Sequence, residues 1–300
     1  VAVTLQAVRR RLADRLDDIG IHAVEAATGN SVTLAMLRNA TPFASADLYD
    51  GRWVYVATGS SAGQQRLVQK GGYAPGTGAL TIYPIWAQPA PGDEVELTAL
   101  FPVITSATGT DRGPGEDASY RTIINRAASR LLVRDQVQIA ITTADRYTLT
   151  AFNYWMTSAD RLVSVLEPSP IPGRAPTDAS WRGPRLVFPT GHPTLELGAP
   201  FLAVSGSMTL EILRPGNTLI NGVESTTGAT IDTDVLAPSL DDLVTVALEE
   251  AYAALAHRYV GRAEGTAFGA LYEQQHALVM ELAALDRIRL AQPAPAREAA

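Results

Sequence analysis

The feature that most limits how this chain can fold is the spacing of its chain breakers. Two stretches, 30–104 and 136–236, are cut by Gly, Pro and Asp clusters about every 8–12 residues. The runs between the cuts are rich in Val, Ile, Leu, Thr and Tyr. Such runs are too short for stable helices, and their turn-like connections leave no room for the long crossovers of a parallel sheet. Both stretches therefore predict antiparallel modules of small-barrel or sandwich type. In the first, strands are expected at 31–34, 53–57, 64–68, 80–83 and 94–97, with turns at Asp50-Gly51, 59–63, Gly71-Gly72, 75–78 and 89–93. In the second they are expected at 137–141, 147–150, 162–166, 186–188, 194–197 and 208–213, with Trp155 and Trp181 filling the core or sealing its edge.

Outside these stretches the apolar period changes to that of a helix. Leu5, Val8, Leu12, Leu16 and Ile19 recur at three or four residues behind Thr4, a good N-cap, and Gly20 is the expected stop. Arg9, Arg10 and Arg11 form a triple arginine whose simplest reading is a solvated face, the other being a contact to an acidic partner. A short helix capped by Ser119 should end near Arg134 or Asp135. Ser239 with Asp242 resembles a capping box opening a helix whose apolar face is Leu243, Ala247, Leu248, Ala251, Leu255 and Tyr259. Beyond Gly261, a helix at 267–290 carries Phe268, Leu271, Leu278, Leu282 and Leu285 at near-heptad spacing, with Gln275 interrupting. That pattern suits an intrachain hairpin or an interface between subunits. The expected class is α+β: two antiparallel β-rich modules (small barrel or sandwich-like) with an N-terminal helix and a C-terminal helical hairpin. The expected organisation is a helix at 1–24, a small β module at 30–104, an exposed loop or linker at 105–118, a helix at 119–135, a sandwich-like module at 136–236, the hairpin at 237–291 and a flexible tail at 292–300.

Composition excludes several chemistries. There is no cysteine, so there are no disulfides, thiolate metal sites or cysteine nucleophiles. A net charge of −7 argues against a surface that grips nucleic acid throughout. All but one of the 24 basic residues are arginine, the exception being Lys70. The abundance of alanine alongside points to GC-rich codons as the cause. No apolar run approaches the length of a membrane span, and the basic residues near the N-terminus follow the apolar ones, the reverse of a signal peptide. The expectation is a soluble, intracellularly made globular protein. His22, His192, His257 and His276 are too scattered for metal-ligand spacing. Ser205-Gly206-Ser207 lacks a nucleophile elbow, and the glycine-rich 109–115 lacks a phosphate-loop ending. Asp93, Glu94 and Glu96 form an acidic cluster, with Asp93 read as a turn residue and a calcium contact as the alternative. No catalytic residue, cofactor or metal is nominated, and the balance moves towards a structural or binding protein that is not an enzyme.

One run carries a resemblance. It comprises Gly51-Arg52-Trp53-Val54-Tyr55-Val56, Ala62-Gly63-Gln64-Gln65-Arg66-Leu67-Val68, Tyr73-Ala74-Pro75-Gly76-Thr77-Gly78-Ala79-Leu80-Thr81-Ile82 and Pro91-Gly92-Asp93-Glu94-Val95-Glu96-Leu97. It resembles a β module of virion structural proteins of tailed bacteriophages, and the flanking helices resemble those of head-to-tail connector or adaptor (neck) proteins. The resemblance implies a homo-oligomeric ring, commonly a dodecamer, that binds the portal protein and tail or collar proteins. It also implies DNA passing through the lumen without sequence-specific binding, no membrane contact, and a place in the virion after assembly in the host cytoplasm. Candidate interface residues are Arg9, Arg10, Leu271, Leu278, Leu282 and Leu285. A tail-associated receptor- or carbohydrate-binding module using Trp53, Tyr55, Trp155 or Trp181 as stacking platforms is a second reading. An enzyme with a dispersed site is a third.

Overall fold

A computed structural model describes residues 2–38, 45–83, 86–104, 118–142, 144–149, 161–167, 177–179, 182–187, 194–198, 206–225 and 228–291. Among the described residues four helices and several antiparallel sheets make the protein α+β, with a helix near the N-terminus and two helices at the C-terminal side. The chain divides into two compact units, Val1–Ala127 with Ala229–Val235 and Ser239–Ala300, and Ala128–Gly228 with Leu236–Pro238.

The first unit starts with a two-residue strand, β1 (Val3–Thr4), and α1 (Leu5–Arg15). Its sheet uses β2 (Gly20–Ala23), β3 (Ala26–Thr28), β4 (Ser31–Thr33), β5 (Trp53–Val56), β6 (Gln65–Ala74), β7 (Ala79–Tyr83) and β8 (Glu94–Thr98) in the order β2-β8-β5-β6-β7-β4-β3. Only Val24 and Glu25 separate the two outermost strands, and both stay on the ladder: the Val24 N–H donates to the Asp93 carbonyl at 2.8 Å and the Glu25 N–H to the Thr33 carbonyl at 2.9 Å. Residues 20–28 thus act as one bent strand, paired with β8 through its first half and β4 through its second. The sheet closes into a small barrel, which removes the sheet edges that invite aggregation. Val32, Val54, Val56, Val68, Leu80, Ile82, Val95 and Leu97 fill it.

Two glycine sites differ in kind. Gly71-Gly72, expected as a turn, lies inside β6, where the register with β7 shifts between Val68 and Tyr73. A Cβ on Gly72 would lie 2.8 Å from the Gln69 carbonyl oxygen, so the glycine permits a close approach within the sheet. Gly78 does make a turn, with φ +73°, and a Cβ there would meet the Leu34 carbonyl oxygen at 2.4 Å.

Thr4 caps α1, its hydroxyl accepting from the Ala7 N–H at 3.2 Å, and Leu5, Val8 and Leu12 are buried. The helix ends at Arg15 rather than near Gly20, because Asp17 turns left-handed (φ 52°) and Gly20 opens β2. The buried Asp18 carboxylate holds this corner, accepting from the Ala99 and Leu100 N–H groups at 2.6 and 2.9 Å and the Tyr120 hydroxyl at 2.6 Å. Burial is the largest influence on Asp18 and raises its pKa above the ordinary 3.8, against these hydrogen bonds. The folded state keeps the proton to higher pH than the unfolded chain does. The stability this group contributes is full below its ordinary pKa and is lost as pH rises through the raised one. Asp18→Asn cannot titrate, so its unfolding free energy should gain on the parent's as pH rises above the ordinary 3.8, in denaturant titrations. A difference that does not change with pH would contradict this.

α2 (Tyr120–Arg130) opens on Ser119, whose hydroxyl accepts from the Thr122 N–H at 3.2 Å while its own N–H donates to the Thr122 hydroxyl at 2.8 Å. α3 (Leu240–Arg258) and α4 (Ala263–Ala291) form the C-terminal helical pair, and α1 packs on α3. Ser239 caps α3: its hydroxyl accepts from the Asp242 N–H at 3.2 Å and donates to the Asp242 carboxylate at 2.7 Å.

The second unit holds β9 (Leu132–Ala140), β10 (Arg146–Thr148), β11 (Arg161–Glu167), β12 (Thr177–Asp178), β13 (Arg185–Val187), β14 (Thr194–Glu196) and β15 (Ser207–Pro215). The sheets β12-β11-β15-β9 and β10-β14-β13, antiparallel throughout, share one core of Val137, Ile139, Val165, Leu195, Met208, Leu210 and Ile212. A small ladder follows, in which β16 (Leu219–Ile220) pairs with β17 (Val223–Glu224), and Ile220 pairs with Leu236 of β18 (Val235–Leu236). The helix expected to reach Arg134 stops at Arg130, because β9 pairs with β15 all the way from Ala140–Ser207 to Leu132–Pro215. The loop at 105–117, the tail at 292–300, Trp155 and Trp181 lie outside the described residues.

Candidate assembly surface

α4 carries two apolar seams on adjacent faces. One packs on α3: Val279 is 6% exposed, the Gln275 amide donates to the Thr245 carbonyl at 2.9 Å, and His276 Nδ1 lies 2.5 Å from a carboxylate oxygen of the buried Glu249. Phe268, on the same side, stacks on Tyr259 at 5.9 Å between centroids. The other seam is open. Leu271 is 40% and Leu278 47% exposed, two helical turns apart, and Ala267, Gln274 and Glu281 continue the line, all exposed. The predicted set of leucines therefore divides. Leu271 and Leu278 face outward, Leu282 is half-buried, and Leu285 sits in α4 with its side chain outside what is described. The sequence pattern merged the two seams because positions 268 and 282 lie less than a quarter turn from 271 and 278 on a helix.

Arg9 and Arg10 behave differently from the solvated pair expected. Arg9 is 1% exposed, and its guanidinium engages Glu96, which is fully buried, and donates to Asp232 at 2.7 Å. It also lies 4.8 Å from the Tyr55 ring centroid, and the Tyr55 hydroxyl donates to Asp232 at 2.9 Å. Arg10, half-buried, donates to Glu96 at 2.7 Å and Glu94 at 2.8 Å. The solvated-face expectation is corrected for both: the acidic partner is the chain's own β8 and the segment at Asp232. A buried Arg9 has no surface to offer another molecule. Burial lowers the Arg9 pKa below the ordinary arginine value, opposed by Asp232, and raises that of Tyr55.

Glu94 and Glu96 are thereby committed to arginines, while Asp93 accepts the Ala90 N–H at 2.8 Å within its turn, as the turn reading expects. Among the described residues no three His, Asp or Glu side chains converge to hold a metal ion. Tyr55 is buried and offers no open stacking platform, while Trp53 is half-buried. Sequence reasoning missed Asp232 and gave Tyr55 a ligand-stacking role instead of its place beside Arg9, because nothing local marks a residue as the partner of a helix so distant in the chain. Compared with known protein families, curated proteins and solved structures, the chain matches none.

Proposed function

We propose that this chain is a structural, non-enzymatic component of a tailed-phage virion. In this reading it is a ring-forming head-to-tail connector or adaptor between portal and tail that lines the DNA passage, assembled in the host cytoplasm. The observation that carries the reading is the pair of exposed leucines, Leu271 and Leu278, two turns apart on the outward face of α4 and suited to burial between copies. The residues of the phage-like run add support. They lie on β5, β6, β7 and β8, which are neighbours in the order β8-β5-β6-β7, so the run builds one continuous wall of one barrel. A net charge of −7 suits a conduit along which DNA slides without adhering. Among the described residues no helix is long and apolar enough to cross a membrane.

The test is the native mass of the purified protein, alone and mixed with a portal ring from the same source. A ring-sized species, alone or on mixing, is expected. A stable monomer indifferent to the portal would overturn the reading.

A further inference from the structure

A cavity of about 480 Å³ opens within the first unit beside the corner between α1 and β2. Leu16, Leu37, Leu97 and the rings of Tyr49 and Phe268 supply much of its wall. Among the described residues two polar groups of the lining have no ionic or hydrogen-bonded counterpart. The half-buried Arg52 guanidinium stacks over Tyr49 at 5.1 Å and makes no ion pair among the described residues, unlike Arg9 and Arg10, which meet carboxylates. His22 Nδ1 is buried without a hydrogen-bond partner. A Cβ on Gly20 would come within 2.8 Å of His22 Nε2, so this glycine makes the room the imidazole occupies. Burial lowers the His22 pKa and keeps the ring neutral, with one N–H to give and one lone pair to take. Two carboxylates also line the space. That of Asp18 is engaged by two backbone N–H groups and a tyrosine hydroxyl, and that of Asp17 stands exposed.

We propose that this cavity binds a carboxylate carried on an apolar or aromatic body, with Arg52 as its charge partner and the His22 ring as part of its wall. The aromatic and leucine wall takes the body, and a guanidinium already stacked on a ring presents its fork to a planar carboxylate. A free carboxylic acid and the carboxylate terminus of a peptide share this chemistry. The inference does not rest on the virion reading.

The test is calorimetric titration of the full chain with phenylacetate, phenylacetamide and phenylethylamine, following the His22 ring resonance by NMR. Phenylacetate should bind and shift that resonance, with the amide and the amine at least about tenfold weaker. Arg52→Met, checked for retained fold by circular dichroism, should weaken phenylacetate by about tenfold, and Arg52→Lys by less. Asp17→Asn should tighten it by removing a like charge. No binding at millimolar phenylacetate, equal binding of the amine, or indifference to Arg52→Met in a folded variant would overturn the proposal. Acetyl-alanyl-phenylalanine identifies the source: tighter binding than phenylacetate supports a peptide terminus, and weaker binding supports a free acid.

Discussion

Arg9→Ala should destabilise the protein by about 3–5 kcal/mol, measured by denaturant unfolding, because it leaves the buried carboxylate of Glu96 to Arg10 alone and takes a donor from Asp232. The loss comes mainly from buried carboxylates left short of positive charge. Burying two ions is itself expensive, so a matched apolar pair can do nearly as well as the ion pair. Arg9→Met combined with Glu96→Leu should therefore recover much of what Arg9→Met alone loses. Arg10→Ala should cost less, since Arg10 remains in partial contact with water and its attraction to Glu94 is screened. If Arg9→Ala proves as mild as an exposed substitution, the cluster does not hold α1 to the barrel.

The second large effect separates assembly from folding at two adjacent positions of α4. Leu278→Asp places a charge on an exposed seam, so the monomer should keep its helical content and thermal transition while the oligomer disappears from native mass spectra. Val279→Asp places the same charge in the seam against α3, where an unpaired carboxylate is costly, and should cost several kcal/mol and loosen the helical pair. An oligomer that survives Leu278→Asp in a folded protein would show that this seam is not the contact between copies.

Much of the architecture was legible in the sequence, in the places where a few neighbouring residues decide the outcome. Ser119 and Ser239 mark helix starts because a hydroxyl meets an N–H three residues on. Gly78 marks a turn because other residues resist positive φ. The barrel strands β4 to β8 were readable from their β-branched and aromatic runs. β2 and β3 were not, since Gly20-Ile21-His22-Ala23 and Ala26-Ala27-Thr28 carry little strand preference and become strands because β8 and β4 offer them ladders. The end of α2 was misplaced for the same reason, as β15 draws Leu132 into a sheet.

Of the candidate interface, the helix and its leucine spacing came from the sequence, whereas their division between an inner and an outer seam required knowing where α3 lies. The arginines show the limit most plainly. The arginine run reads as a solvated face, yet Arg9 falls beside Leu5 and Leu16 on the helix and is among the most buried side chains, paired with a carboxylate 223 residues away. By itself the sequence determined caps, turns, periods and the α+β class, because each depends on torsions and contacts within a few residues. Tertiary structure alone decided the closure of the barrel, the partners of Arg9 and Arg10 and which face of α4 stays open. These depend on contacts between distant segments, and a local pattern states that a residue wants a partner without stating which one it meets.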